Sequence, residues 1–258
     1  GAATHRGVEL GAGVLCAQWS PDGTRFATGD LDHRVHIHDA GSGAVLHELA
    51  GHALPISDIS FDRSGRFLAS GDRPLSLEER GAAVVDVTAR VWDVASGREL
   101  GVLSGHERGI TSVNLLAEAA GTAGLITTSL DGTTRVFELG SGLRAGRGRV
   151  LHGHEGSVLF AAVTPDGSAL LSGANDGVLR GWALASATGV DLASHAYAIV
   201  GLGEPRPGLL ASLSRGALRV DDARTAEVLH DMRELPRVGA ELACAGESGR
   251  IATLSTQS

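Results

Sequence analysis

One motif recurs five times along the 258 residues, and only a fold built from a repeated unit can hold it. The copies read "RVHIHDAGSGAVL", "RVWDVASGREL", "RVFELGSGLR", "LRGWALASATGV" and "LRVDDARTAEVL". Aligned at His38, Trp92, Phe137, Trp182 and Asp221, they stand 54, 45, 45 and 39 residues apart. That spacing brackets the roughly 40 to 45 residues of one four-stranded β-unit. Apolar strands separate the copies, broken by turns such as "SPDG" (20–23), "DRSG" (62–65) and "TPDG" (164–167). Pro, Asp and Gly at this rhythm supply the backbone angles that tight hairpins need. Helical periodicity is nowhere sustained, so the chain reads as all-β.

Upstream of the aligned positions stand the pairs Gly51-His52, Gly105-His106 and Gly153-His154, with a lone His195 where a fifth is due. These GH pairs, the SPDG-like turn, the "SGxxD" strand end and the dipeptide Trp92-Asp93 recur in phase. Together they resemble the WD-repeat family from about residue 14 to the end. The resemblance implies a β-propeller of four-stranded antiparallel blades. It places blades at about 14–50, 51–104, 105–152, 153–193 and 194–234, a partial sixth at 235–258 and an incomplete lead-in strand at 1–13. Five blades and a part leave the ring open, so the expectation is a fragment whose missing strands come from the rest of the protein. The only methionine being Met232 agrees with a start inside a longer reading frame.

The resemblance also implies a buried hydrogen-bonded tetrad in each blade, formed by the GH histidine, a Ser or Thr, a turn Asp and the Trp. Carried over by position, blade 2 has His52, Ser70, Asp86 and Trp92, and blade 4 has His154, Ser172, Asp176 and Trp182. Blade 3 offers His106, Thr127 and Asp131, with Phe137 in the Trp place. Blade 1 offers Thr28, Asp32 and His38, and blade 5 only His195 and Ser212. A buried imidazole and carboxylate persist only by satisfying each other, at about 1 to 3 kcal/mol per broken partnership. These residues are therefore expected to be structural, with no catalytic set among them. From hydroxyl to turn Asp takes four residues in blades 1, 3 and 4 but sixteen in blade 2, which places a twelve-residue insertion in "GDRPLSLEERGAAVVD". It reads equally as a binding loop or a solvated excursion.

Composition narrows the partner. Thirty acidic residues against 22 basic ones give a net charge of −8, which argues against nucleic acid or an anionic membrane. All 22 basic residues are Arg, so P-loop, Schiff-base and Ser-Lys chemistry are excluded. Cys16 and Cys244 lack a CxxC partner, and "HELAGH" spaces its histidines five apart where a helix-borne zinc pair needs four. "HRVHIH" and "DLDHR" fail as metal loops, no GxSxG is present, and no cofactor or metal is expected. Arg144, Arg147 and Arg149 in a Gly-rich stretch read as a surface connection.

The expected function is a non-catalytic scaffold for protein partners, cytoplasmic, binding on the face that carries the GH loops. By family geometry that face would present Leu31, Leu54, Arg73, Glu78, Glu79, Arg80, Glu107, Arg108, Leu130, Glu155 and Asn175. The alternative is a regulatory or sensor propeller joined to a signalling kinase, protease or ATPase, as in bacterial WD-repeat chains.

Overall fold

Turn residues cut the chain into short strands, and each run of four strands pairs in sequence order. We describe the protein from a computed structural model covering residues 13–75, 87–119, 122–139, 145–164, 168–196, 198–203, 209–214, 217–222, 228–233, 241–245 and 250–254. The first sheet holds β1 (Val14–Trp19), β2 (Arg25–Asp30), β3 (Arg34–Asp39) and β4 (Val45–Ala50). The second holds β5 (Ile56–Phe61), β6 (Phe67–Asp72), β7 (Ala89–Asp93) and β8 (Glu99–Leu103). The third holds β9 (Ile110–Ala119), β10 (Thr122–Ser129), β11 (Thr134–Leu139) and β12 (Ala145–Leu151). The fourth holds β13 (Val158–Val163), β14 (Ala169–Ala174), β15 (Val178–Ala183) and β16 (Thr188–Ser194). The fifth holds β17 (Ile199–Gly203), β18 (Leu209–Ser214), β19 (Ala217–Asp222) and β20 (Val228–Arg233), and β21 (Glu241–Ala245) pairs with β22 (Arg250–Leu254). The described residues thus form five four-stranded sheets and one hairpin, antiparallel wherever the register is defined.

The chain divides into two compact units, residues 1–127 with 137–148, and residues 128–136 with 149–258. In the first unit, sheet 2 is apolar on both faces, as a strand pattern of period two requires for a sheet covered twice. Leu68, Trp92 and Ile56 of sheet 2 pack with Ile37 and Leu49 of sheet 1. Ala69 and Val91, the next residue on each strand, pack instead with Ile110, Leu125 and Phe137. The glycine of the "TGD" and "SGD" strand ends allows this approach. A Cβ on Gly29 would come within 2.4 Å of Ile56 Cγ2, and one on Gly71 within 2.6 Å of Ile110 Cγ2. In the second unit, Leu179 and Ile199 form a core joined by Phe160, Leu171 and Leu192.

Inner strands of neighbouring sheets are tied by side chains that accept main-chain N–H groups. Gln18 Oε1 accepts from Phe61 N at 2.6 Å, Ser60 Oγ from Leu115 N at 3.3 Å, and Asp58 Oδ2 from Val113 N at 2.8 Å. On the other face of sheet 1, Trp19 is 62% exposed and tilts over Phe26, which stacks on His38 at 4.5 Å.

Asp58 is the costly member of this ladder. Burial pushes its carboxyl up to about 6, against the pull of the Val113 and Ile59 N–H groups and of Arg73. A folded pKa above the ordinary 3.8 means stability that is fully present below that value and lost as pH rises through about 6. Asp58→Asn removes this dependence. In urea unfolding, the advantage of the variant over the parent should be largest at about pH 7 and shrink steadily toward about pH 4.5. A difference that stays constant across that window would show that Asp58 titrates normally.

Candidate functional site

In each of sheets 1 to 4, the third strand begins with an N–H that the ladder leaves open, and a carboxylate fills it. The acceptors are Asp30 Oδ1 for Arg34 N (3.2 Å), Asp72 Oδ1 for Thr88 N (2.8 Å), Asp131 Oδ1 for Thr133 N (2.8 Å) and Asp176 Oδ1 for Val178 N (2.9 Å). In every case the donor lies four residues ahead of the aligned ring position: His38, Trp92, Phe137 or Trp182.

In sheet 2 the same carboxylate reaches the GH histidine. His52 Nδ1 bonds Asp72 Oδ2 and its Nε2 bonds Ser70 Oγ, both at 2.7 Å, while Trp92 Nε1 donates to Ser70 Oγ at 2.8 Å. Thr88 Oγ1 donates to Asp72 Oδ2 at 3.0 Å and adds a fifth member that sequence reasoning missed. The carboxylate making these bonds is Asp72, a residue not named in the expected set. Asp86 lies outside the described residues, and Asp72, two residues after Ser70, already supplies both the histidine bond and the turn bond. Asp30 stands at the same offset from Thr28, with its Oδ2 3.1 Å from His36 Nδ1, whereas the expected Asp32 gives its N–H to Asp30 and is exposed.

Sheet 4 uses the offset of four. His154 Nδ1 bonds Asp176 Oδ2 at 2.9 Å, His154 Nε2 bonds Ser172 Oγ at 2.8 Å, and Trp182 Nε1 donates to Ser172 Oγ at 2.8 Å. Burial alone would raise the Asp176 carboxyl, but the N–H of Val178, the His154 ring and the N–H of Glu155 hold it below the usual range. In sheet 3, His106 Nε2 bonds Thr127 Oγ1 at 2.8 Å, and Phe137 is buried with no polar edge to offer. In sheet 1, His38 Nε2 bonds Thr28 Oγ1 at 3.1 Å in place of an indole N–H, and burial keeps its imidazole pKa below the ordinary value. His195 Nε2 bonds Ser212 Oγ at 2.8 Å.

These Ser-His-Asp sets cannot attack a substrate where they stand. Ser70 is fully buried, and its hydroxyl oxygen accepts the Trp92 N–H while facing His52. The Cys16 thiol is no better placed, since burial and the nearby Asp58 charge push it up to about 12. Among the described residues no three His, Cys, Asp or Glu side chains gather to hold a metal, and no helix is long and apolar enough to cross a membrane.

The GH-loop end is then the surface left to consider. In the first unit, Leu31 is 44% exposed and its N–H is tied to Gly13 O at 3.0 Å. Glu107 and Arg108 are exposed, and Arg73 is half-buried, with its N–H on Pro55 O at 3.1 Å. Gly109 lies beneath Arg73, where an added Cβ would come within 2.4 Å of Arg73 Cβ. Leu54 is corrected: it is 2% exposed and packs into the core with Ala69 and Leu103. Glu78, Glu79 and Arg80 lie outside the described residues. In the second unit, Glu155 and Asn175 are exposed and Leu130 is half-buried. Ser157 Oγ donates to Leu130 O at 3.0 Å and Asn175 N to Ser157 O at 2.9 Å, so these loops are pinned to each other.

Comparison with known proteins follows the same repeat. Residues 5–39, 43–76, 97–138 and 147–183 each match the WD domain, G-beta repeat family, together more than half of the chain. The chain is 29% identical to the COMPASS component SWD3 of Saccharomyces cerevisiae over 50% of its length and 35% of that protein's. It is 26% identical to a guanine nucleotide-binding protein subunit beta of Oryza sativa over 65% of its length and 43% of the relative's. With WD repeat-containing protein 1 of Gallus gallus the identity is 31%, over 66% of this chain and 26% of the relative. The chain thus spans less than half the length of each of these relatives. All three are eukaryotic and lend the bacterial expectation no support.

Exchanging the two aspartates tests the corrected set. Asp72→Ala strands a buried imidazole and a backbone N–H, so urea unfolding should show a loss of about 2 to 4 kcal/mol. Asp86→Ala should stay within about 0.5 kcal/mol of the parent. Equal losses would return Asp86 to the set.

Proposed function

Because the chain belongs to the WD-repeat family, we propose that it is a non-catalytic platform that binds protein partners on the face carrying its GH loops. One observation carries this reading. The polar groups that could do chemistry are spent inside the sheets, while the loops at one end of the strands are pinned by main-chain bonds and leave leucine, arginine and acidic side chains in solvent. A rigid scaffold with a mixed apolar and charged rim is the arrangement that protein interfaces use. Taken unit by unit, the GH-loop residues in question are Leu31, Arg73, Glu107 and Arg108 in the first, and separately Leu130, Glu155 and Asn175 in the second.

The insertion belongs to this reading. Asp72 N donates to Thr88 O at 3.2 Å and Asp72 accepts from Thr88 N, so both ends of the 73–87 excursion are fastened at its base. Its tip can then engage a partner without loosening the sheet.

Partner capture by the full chain tests the face. Glu107→Arg combined with Arg108→Glu, and separately the replacement of residues 76–86 by a short Gly-Ser linker, should each lower capture of a cross-linked protein partner about tenfold or more. Melting should stay within a few degrees of the parent. Undiminished capture by both variants would remove the GH-loop face from the function.

A further inference from the structure

At the opposite end of the strands from the GH loops, three turns of the first unit enclose a cleft of about 250 Å³. Residues 20–25 link β1 to β2, residues 64–66 link β5 to β6, and residues 93–95 follow β7. Hydrogen-bond accounting says what it can take. The acceptors are occupied by their own turns. Asp22 Oδ1 accepts from Ser20 Oγ (2.7 Å) and Thr24 N (3.0 Å), and Asp22 Oδ2 from Thr24 Oγ1 (2.9 Å). Those bonds, the Ser20 hydroxyl first, hold the exposed Asp22 carboxyl down at about 2. Asp93 Oδ1 accepts from Ser96 N at 2.8 Å and Ser96 Oγ at 2.6 Å.

The donors are not occupied in this way. Arg25 Nη1 makes one long bond, to Val94 O at 3.5 Å. The Arg66 guanidinium lies 5.1 Å from the Phe67 ring centroid and has no hydrogen bond or ion pair among the described residues. Asp22 and Asp93 are each held by their own turn, which leaves the two guanidiniums as the open donors of the cleft, suited to a group that accepts. The turn does not need these arginines for its own closure. In sheet 4 the matching turn bonds, Thr164 N to Ala169 O and Leu184 N to Ser168 O, put Ala169 in the place of Arg25 and Ser168 in that of Arg66.

We propose that this cleft binds an oxyanion on an acidic segment of a protein partner, a carboxylate or a phosphate, with Arg25 and Arg66 as its donors. Two guanidiniums lining one cleft suit either oxyanion, since their planar forks match both. This contact lies away from the GH-loop face, so the chain could hold two segments of protein at once.

Titrating the intact chain with a labelled hexaglutamate peptide and a phosphoserine peptide of the same length, read by anisotropy, tests the assignment. Saturable binding is expected, weakened about tenfold or more by Arg66→Gln and lost in the Arg25→Gln, Arg66→Gln double variant. Arg63→Gln alters an exposed arginine of the same turn that does not line the cleft, and should leave binding unchanged. Tighter binding of the phosphoserine peptide identifies phosphate as the source, and equal binding identifies carboxylate. Absence of saturable binding to both peptides, or equal weakening by Arg63→Gln and Arg66→Gln, would overturn the proposal. Melting curves of each variant confirm that the fold is kept, and the Glu107, Arg108 double variant should bind both peptides as the parent does.

Discussion

A buried N–H at the start of a strand has either a partner or a penalty. In sheets 1 to 4 the partner is an aspartate, and the geometry of the rest of each sheet follows from that bond. In sheets 2 and 4 the second carboxylate oxygen orients an imidazole, the imidazole bonds a serine hydroxyl, and the hydroxyl takes the indole N–H of the third strand. Loop, second strand and third strand are thereby held in one relative position. A slip of one residue would carry every apolar side chain of that strand to the other face, so such a polar pin specifies register as well as adding stability.

The sets are not uniform, and the differences obey the same accounting. His38 replaces an indole with an imidazole that still bonds Thr28, and it stacks on Phe26 to fill the volume. Phe137 gives up the polar edge altogether, and Thr127 remains satisfied by His106. Loss of a donor is tolerated where the acceptor has another source. The glycines of two GH pairs, Gly51 and Gly153, have an equally local reason. A Cβ on Gly51 would strike the Arg90 guanidinium and one on Gly153 that of Arg180, where each arginine sits two residues ahead of its tryptophan.

The repeat, the strands and the turns were legible in the sequence because they depend on spacing and on residues with distinctive backbone preferences. Asp86 was named for blade 2 because it stands six residues before the ring position, as Asp32, Asp131 and Asp176 do. The physical requirement is reach to the N–H four residues before the ring, which Asp72 meets from an offset of two from the hydroxyl and Asp176 from four. "TGD" in blade 1 and "SGD" in blade 2 held the signal. Leu54 was placed outside because its neighbours are loop residues, and only packing shows which way it points. The Asp58 and Gln18 bonds join residues 55 and 43 positions apart, and no local pattern encodes them. The Arg25 and Arg66 cleft was missed for the same reason.

The double bond between Asp72 and Thr88 has a consequence for how such a chain can change. It brings Asp72 and Thr88, sixteen residues apart in sequence, to the separation they would have across a tight turn. Val87 in the core and Arg73 against Gly109 mark how far in from each end that interval is fixed, so change in length or sequence belongs between residues 76 and 86. The molecule in effect carries a spare pair of chain ends, at which its order of strands could be rejoined.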